Sequence, residues 1–295
     1  MKDLLKTVII QNGNFIAEIL PNYGAAVNAY KYNEQNFIDG YASLQEITQQ
    51  QYKGVILAPF PNRLAAAQYN FENNTYTLPI NREKENLALH GLIYNEPFEI
   101  IQQVDNELTL YYLYDANEAG YPFKFSLTIN YILHKSGRLE IQSYIENLGS
   151  SMPFGLGWHP YFQLDVNVDE LELAFPPSDW VILDEQKIPT GNLDPYEIDG
   201  DFLIMKNQHF DDCFALRKGQ VNQFKVRSKQ FDLIIQSPSL ADFAYFQIYT
   251  PPSRTSIAVE PMTCAPNAFN NGMGLKVLGP NEKRRFTYSI QALRR

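Results

Sequence analysis

Cysteine is nearly missing from this chain: Cys213 and Cys264 are the only two in 295 residues. Two thiols are too few for a disulfide framework or a structural zinc site, and both are expected to be reduced. Histidine is scarce as well, at four, so each can be weighed singly. No apolar run approaches the length of a membrane helix. The opening MKDLLKTVIIQNGNF interleaves charge with an apolar run too short for a secretory signal. A soluble, cytoplasmic protein with no membrane contact is expected. Positive charge is also in deficit, 24 Lys and Arg against 33 Asp and Glu, and the resulting net charge of −9 argues against nucleic acid as a partner. A Walker loop, a GxGxxG after a strand and a GxSxG nucleophile elbow are all lacking. No HExxH or CxxC offers a metal site, so neither metal nor cofactor is expected.

Aromatic residues are abundant, with 19 Tyr and 19 Phe beside only 2 Trp, and 45% of the chain is hydrophobic, ample for a sizeable core. Strand-like runs fill the sequence: 7–11, 15–20, 24–30, 98–104, 107–114, 123–133, 138–147, 170–175, 180–183, 213–216, 231–237, 244–249 and 285–293. Asn12-Gly13, Asn73-Asn74 within 69–80, and the HKSG stretch at 134–137 read as hairpin turns. Only 44–51 hints at a helix, and 184–200, rich in Asp, Gly and Pro, reads as a loop. Many strands joined by short turns predict an all-β antiparallel sandwich or barrel with little helix. No composition break marks a linker, so one domain over residues 1–295 is expected.

The stretch SIAVEPMTCAPNA, 256–268, reads as a short strand ending in Glu260. Pro261 cannot donate to a central ladder, so the strand is expected to stop there or to sit at an edge, with Glu260 at the mouth of a cleft. A lone carboxylate at a strand end is ordinarily a solvated residue, and it needs a partner acid to be of interest. His159, in GLGWHPYF, and His90, in ALHGL before a permissive Gly91, are the better site candidates among the histidines. His134 lies in a polar turn, and His209 in KNQHFDDCF reads as either surface or site. Asn62-Arg63 in PFPNRL presents an amide and a fork of donors. Asp211 and Asp212 would point to opposite faces of a strand, so at most one can face a cleft. Glu, His and Asp with Arg and aromatics are parts for cofactor-free acid/base work on a polyhydroxylated substrate.

Five segments in order resemble the aldose 1-epimerase (galactose mutarotase-like) family: 61–91, opening PNRLAAAQYNF and closing LHG; PFGLGWHPYFQL at 153–164; FDDCFAL at 210–216; AVEPMTCAPNAFN at 258–270; and the closing LGPNEKRRFTYSIQ. The resemblance implies a large antiparallel β-supersandwich whose open cleft takes a monosaccharide and interconverts its α and β anomers without a cofactor. It also implies roles: Glu260 as base, His159 as acid, and His90 beside the ring oxygen. Asn62, Arg63 and Asp211 would hold hydroxyls, with Tyr161 a further substrate contact. Gln163 after Tyr161-Phe162, and Asp212 after Asp211, depart from the pattern many members carry. The PNR and EPMT pieces look closer to the branch that includes sulfoquinovose mutarotase-like proteins. A non-catalytic carbohydrate-binding protein on the same fold is the alternative, and a glycoside hydrolase or lyase a further one, although hydrolysis would want two opposed carboxylates.

Overall fold

The computed structural model describes residues 5–49 and 52–295. Two large antiparallel sheets dominate it. The first has nine strands in the order Glu99–Val104, Glu107–Tyr114, Phe125–Leu133, Leu139–Asn147, Lys283–Arg294, Phe231–Gln236, Gln223–Arg227, Glu172–Ala174 and Leu203–Ile204. The second runs Pro189–Tyr196, Ser178–Leu183, Asp211–Leu216, Tyr245–Tyr249, Ile257–Met262, Gly157–Trp158 and Ile56–Leu57, with Tyr161–Phe162 also paired to Ile257–Met262.

Strict alternation explains how the sheets stack. Along Phe125–Leu133 every second residue is fully buried, and Leu139–Asn147 repeats the pattern beside it. Facing rings then lock one sheet to the other: Phe224 stacks on Phe246 at 4.1 Å between centroids, Phe175 meets Phe214 at 5.2 Å, and Tyr288 meets Trp158 at 5.9 Å. An N-terminal meander of Val8–Asn12, Phe15–Leu20, Ala26–Tyr32 and Gln35–Asn36 closes the flank. It is tied in through the Tyr30 hydroxyl, which donates to Gly137 O at 2.6 Å and accepts from Ala292 N at 3.1 Å.

The long strands lie where alternation places them, within one to three residues at the ends. The turn at 134–137 closes with Gly137 N donating to His134 O, and the 69–80 hairpin pairs Gln68–Phe71 with Asn74–Thr77. The helix expected at 44–51 is one turn, Leu44–Ile47, whose Glu46 N–H donates to the Ser43 Oγ; residues 50 and 51 lie outside the described residues. The 184–200 loop is a correction, because it contains the strand Pro189–Tyr196. That strand is the outermost of its sheet, where Pro189, Gly191 and Pro195 are tolerated because one side of the ladder is unused.

Pro261 is a second correction. It lies inside the strand Ile257–Met262, between other strands of the second sheet. On one side of it Gly157 pairs with Met262 and Tyr161 with Ala258, and no ladder pair forms between them. A residue without an N–H is accommodated in that gap. Glu260 is therefore a mid-strand residue, 2% exposed, and not a solvated strand end.

Asn147 anchors the segment that carries the chain from the first sheet into this gap. Its fully buried amide donates to Ser150 O, Leu278 O and Gly279 O at 2.7–2.8 Å and accepts from Gly149 N at 2.9 Å. Replacing Asn147 with Ala strands these groups and is expected to cost about 2–4 kcal/mol. Urea unfolding checks this, the midpoint falling with the slope unchanged.

Candidate active site

The pairings of Gly157 with Met262 and of Tyr161 with Ala258 share one register, which sets His159 opposite Glu260. Alternation sends Ile257, Val259 and Pro261 into the core and Glu260 to the other face. The neighbouring strand adds Gln247, directly opposite Glu260, and Tyr249; the next adds Asp211, opposite Tyr249. His159 Nε2 lies 3.4 Å from Glu260 Oε1, with both side chains almost wholly buried.

These residues floor a cleft of about 650 Å³ that Asn62, Arg63, His90 and Tyr161 also border. All seven residues singled out in the sequence thus come together. Asp211 is the cleft-facing member of its pair. Asp212 points away, accepting from Trp180 Nε1 at 3.1 Å. His209 is exposed against Arg254, and His134 sits beside Glu140 on the first sheet, so neither belongs to the cleft.

Local backbone fixes the histidines. His90 and Asn62 both adopt the left-handed conformation, at φ +65° and +60°, and hold one another. His90 N donates to Asn62 O at 2.8 Å, and Asn62 N donates to His90 Nδ1 at 3.2 Å. The second bond makes Nδ1 an acceptor, so the neutral ring carries its proton on Nε2. Gly91 follows at φ +75°, where a Cβ would come within 2.2 Å of Ala58 O. His159 is set among rings: Tyr161 stacks on it at 4.9 Å, Tyr52 lies nearly parallel to it at 6.4 Å, and His90 meets it edge-on at 5.1 Å. Asn62 Oδ1 accepts from both Arg63 N and Arg63 Nη1, which leaves its Nδ2 as a free donor.

Sequence reading missed Gln247, Tyr52, Lys53, Asp39 and Arg82, which also line the cleft. None sits in a distinctive local pattern; only register and chain crossing bring them in. Gln247 Nε2 donates to Asp211 Oδ1 at 2.9 Å, so its buried Oε1 must face elsewhere, and that atom has no partner. Glu260 Oε2 and Arg82 Nε are likewise buried without a hydrogen-bond partner, and Arg63 Nε has only Glu85 Oε2 at 3.7 Å. Unmet polar groups gathered in one cleft are the signature of a site for a polar ligand. Among the described residues no group of three or more His, Cys, Asp or Glu is disposed to hold a metal ion, and no helix is long and apolar enough to cross a membrane.

Residues 6–291 match the family model described as aldose 1-epimerase. The chain belongs to the aldose 1-epimerase family. It is 30% identical to the protein YihR of Escherichia coli (strain K12) over 82% of its own length and 80% of that protein. It is 26% identical to the galactose mutarotase of Homo sapiens over 66% of this chain, but spans only 56% of the human protein. In fold it superposes on a galactose mutarotase-like protein from Clostridium acetobutylicum with a TM-score of 0.87 at 17% identity, covering 100% and 99% of the two chains. A GalM/aldose epimerase homologue from C. elegans superposes equally well, at 16% identity over 98% and 99%. Family membership makes the chain an isomerase, and the supersandwich expected from its sequence is the fold it has.

In this epimerase burial sets the charge of the central pair. It pushes the Glu260 carboxyl well above the usual range, reinforced by Asp211 and opposed by Arg63. It pulls the His159 imidazole down to about 3. His90 is lowered too, first by burial and then by His159, Arg63 and Arg82, in keeping with its Nδ1 acting as an acceptor. Burial thus works against the charged form of both partners, the carboxylate of Glu260 and the imidazolium of His159.

This has a signature in stability. As pH rises above 4.5, the ordinary value, unfolded Glu260 releases its proton while the folded one keeps it, so folding loses stability with pH. As pH falls below 6.5, unfolded His159 gains a proton the folded ring refuses, so stability is lost towards acid, down to about pH 3. From this pair a plateau between pH 4.5 and 6.5 is expected. The unfolding free energy of the parent minus that of Glu260→Gln should then decline above pH 4.5, by at most about 1.4 kcal/mol per unit. Urea melts of both proteins from pH 4 to 9 read it.

Proposed function

We propose that this chain is a mutarotase that interconverts the α and β anomers of a free aldose, with Glu260 as base and His159 as acid. The observation that carries the reading is the Glu260–His159 pair, opposed by strand register in a polar cleft with 3.4 Å between Oε1 and Nε2. Glu260 as carboxylate takes the proton of the anomeric hydroxyl while His159, protonated, delivers one to the ring oxygen. The C1–O5 bond breaks and C1 becomes an aldehyde carbon. Rotation about C1–C2 presents the other carbonyl face. O5 then adds to C1, Glu260 returns a proton to the carbonyl oxygen and His159 recovers its own.

Opening converts a carboxylate and an imidazolium into a carboxylic acid and an imidazole, and closing converts them back. The pair carries one proton throughout, and both forms must be reachable. In water the ionised form would win by a wide margin. Burial withdraws that advantage and brings the two forms closer in energy, which a catalyst run in both directions requires. His90, held as the Nε2–H tautomer by Asn62 N–H, supplies a neutral donor beside the reacting oxygens. Asn62 Nδ2, the Arg63 guanidinium, Gln247 Oε1 and Asp211 offer donors and acceptors for the remaining hydroxyls, and Tyr161 keeps His159 in plane.

Asp211 is committed to Gln247 and lies 3.7 Å from Lys187 Nζ. Held by these contacts, its carboxylate is not set free to face Glu260 across a glycosidic bond, which favours anomer exchange over glycoside hydrolysis with its two opposed carboxyls.

The purified protein is expected to accelerate the polarimetric equilibration of freshly dissolved α-D-glucose or α-D-galactose. Glu260→Gln and His159→Gln should each reduce kcat by about 10²–10⁴ with KM little changed, and the double variant should be no slower than the worse single one. A Glu260→Gln protein as fast as the parent sinks the role given to that residue. No response from any aldose in a broad panel, combined with sugar binding by calorimetry, makes the cleft a non-catalytic carbohydrate site.

A further inference from the structure

Beyond the pair that handles C1 and O5, the cleft holds a second, self-neutralised pair. Lys53 Nζ lies 2.7 Å from Asp39 Oδ1. Asp39 Oδ2 accepts from Ser256 Oγ at 2.8 Å, and Lys53 Nζ reaches Gly40 O at 3.4 Å. Both side chains border the cleft and are only partly covered, at 15% and 25% exposure. We propose that Lys53 and Asp39 form the specificity wall that reads the exocyclic C6 hydroxyl of a hexopyranose. The inference rests on the mutarotase reading above and adds the substrate class to it.

Position along the sheet is the argument. Across the cleft floor the strands run from Asp211–Leu216 through Tyr245–Tyr249 and Ile257–Met262 to Gly157–Trp158 and Ile56–Leu57. Asp211, Gln247, Glu260 and His159 therefore follow one another in that order across the sheet, Gln247 directly opposite Glu260 and Asp211 displaced two residues along, opposite Tyr249. Lys53 lies beyond His159, because Gly54 N donates to His159 O at 2.8 Å. Asp39 is tied to the same flank, its N–H donating to Tyr161 O at 2.9 Å.

A pyranose ring has its own fixed order, C2, C1, O5 and then C5 with its substituent. With the C1 hydroxyl at Glu260 and O5 at His159, C2 and C3 fall towards Gln247 and Asp211. C5 and its CH₂OH then point past His159 to Lys53 and Asp39. The chemistry there suits one hydroxyl, which can donate to the carboxylate and accept from the ammonium at once. The pair is already formed and anchored by Ser256, so little ordering is required when the sugar arrives.

The test compares D-galactose with 6-deoxy-D-galactose, which lacks only that hydroxyl, by polarimetry with the parent, Lys53→Met and Asp39→Asn. The parent is expected to show a kcat/KM about tenfold or more higher for D-galactose, and each variant should bring that ratio down to within about twofold of unity. The ratio does not depend on the fraction of protein folded, so instability of a variant cannot imitate the result. A parent that treats both sugars alike, or variants that slow both equally, overturns the assignment of the wall while leaving the mutarotase reading in place. A parent that accelerates no aldose overturns both.

Discussion

Everything at the cleft depends on one register. Gly157 against Met262 and Tyr161 against Ala258 are spaced so that His159 must face Glu260, and the gap between those pairings leaves room for both side chains and for Pro261. A slip by one residue would turn Glu260 into the core and bring Val259 to the cleft. The stacked rings of the two large sheets hold that register, because Trp158, adjacent to His159, is fully buried against Tyr131 and Tyr288 of the first sheet. Chemistry on one face of the second sheet is thus fixed by packing on the other.

The same burial that fixes the pair also decides its charge. A carboxylate and an imidazolium brought out of water lose solvation that a single contact at 3.4 Å does not restore. The protein leaves several polar atoms here without partners, Glu260 Oε2 and Gln247 Oε1 among them. Such groups weaken the empty fold and strengthen its hold on a ligand that satisfies them, which is how stability is exchanged for function at many sites.

Much of this was legible in the sequence, and the boundary of legibility is physical. Long strands such as Phe125–Leu133 and Leu139–Asn147 bury every second residue, so alternation exposes them. The part of the cleft that carries Arg63, His159 and Tyr161 is assembled from or beside pieces of two or three residues, Arg63–Ala65, Gly157–Trp158 and Tyr161–Phe162, too short for any period to show. Its motif residues stood out through unusual neighbours, as His159 did among glycines and aromatics. Gln247, Lys53 and Asp39 have ordinary neighbours and enter only through pairing across the sheet. The expectation for Pro261 failed because it assumed a fully used ladder on both sides, whereas the sheet opens at that point to admit the site.

Asn62 and His90 are bound to each other twice, once through backbone alone and once from backbone to imidazole, and both stand in a backbone region that most residues avoid. Neither loop can drift by itself, since moving one withdraws both bonds from the other. The two positions act as a single latch, so that a change at either is felt at both. The separation of 28 positions between them is bookkeeping of the sequence and not of the fold.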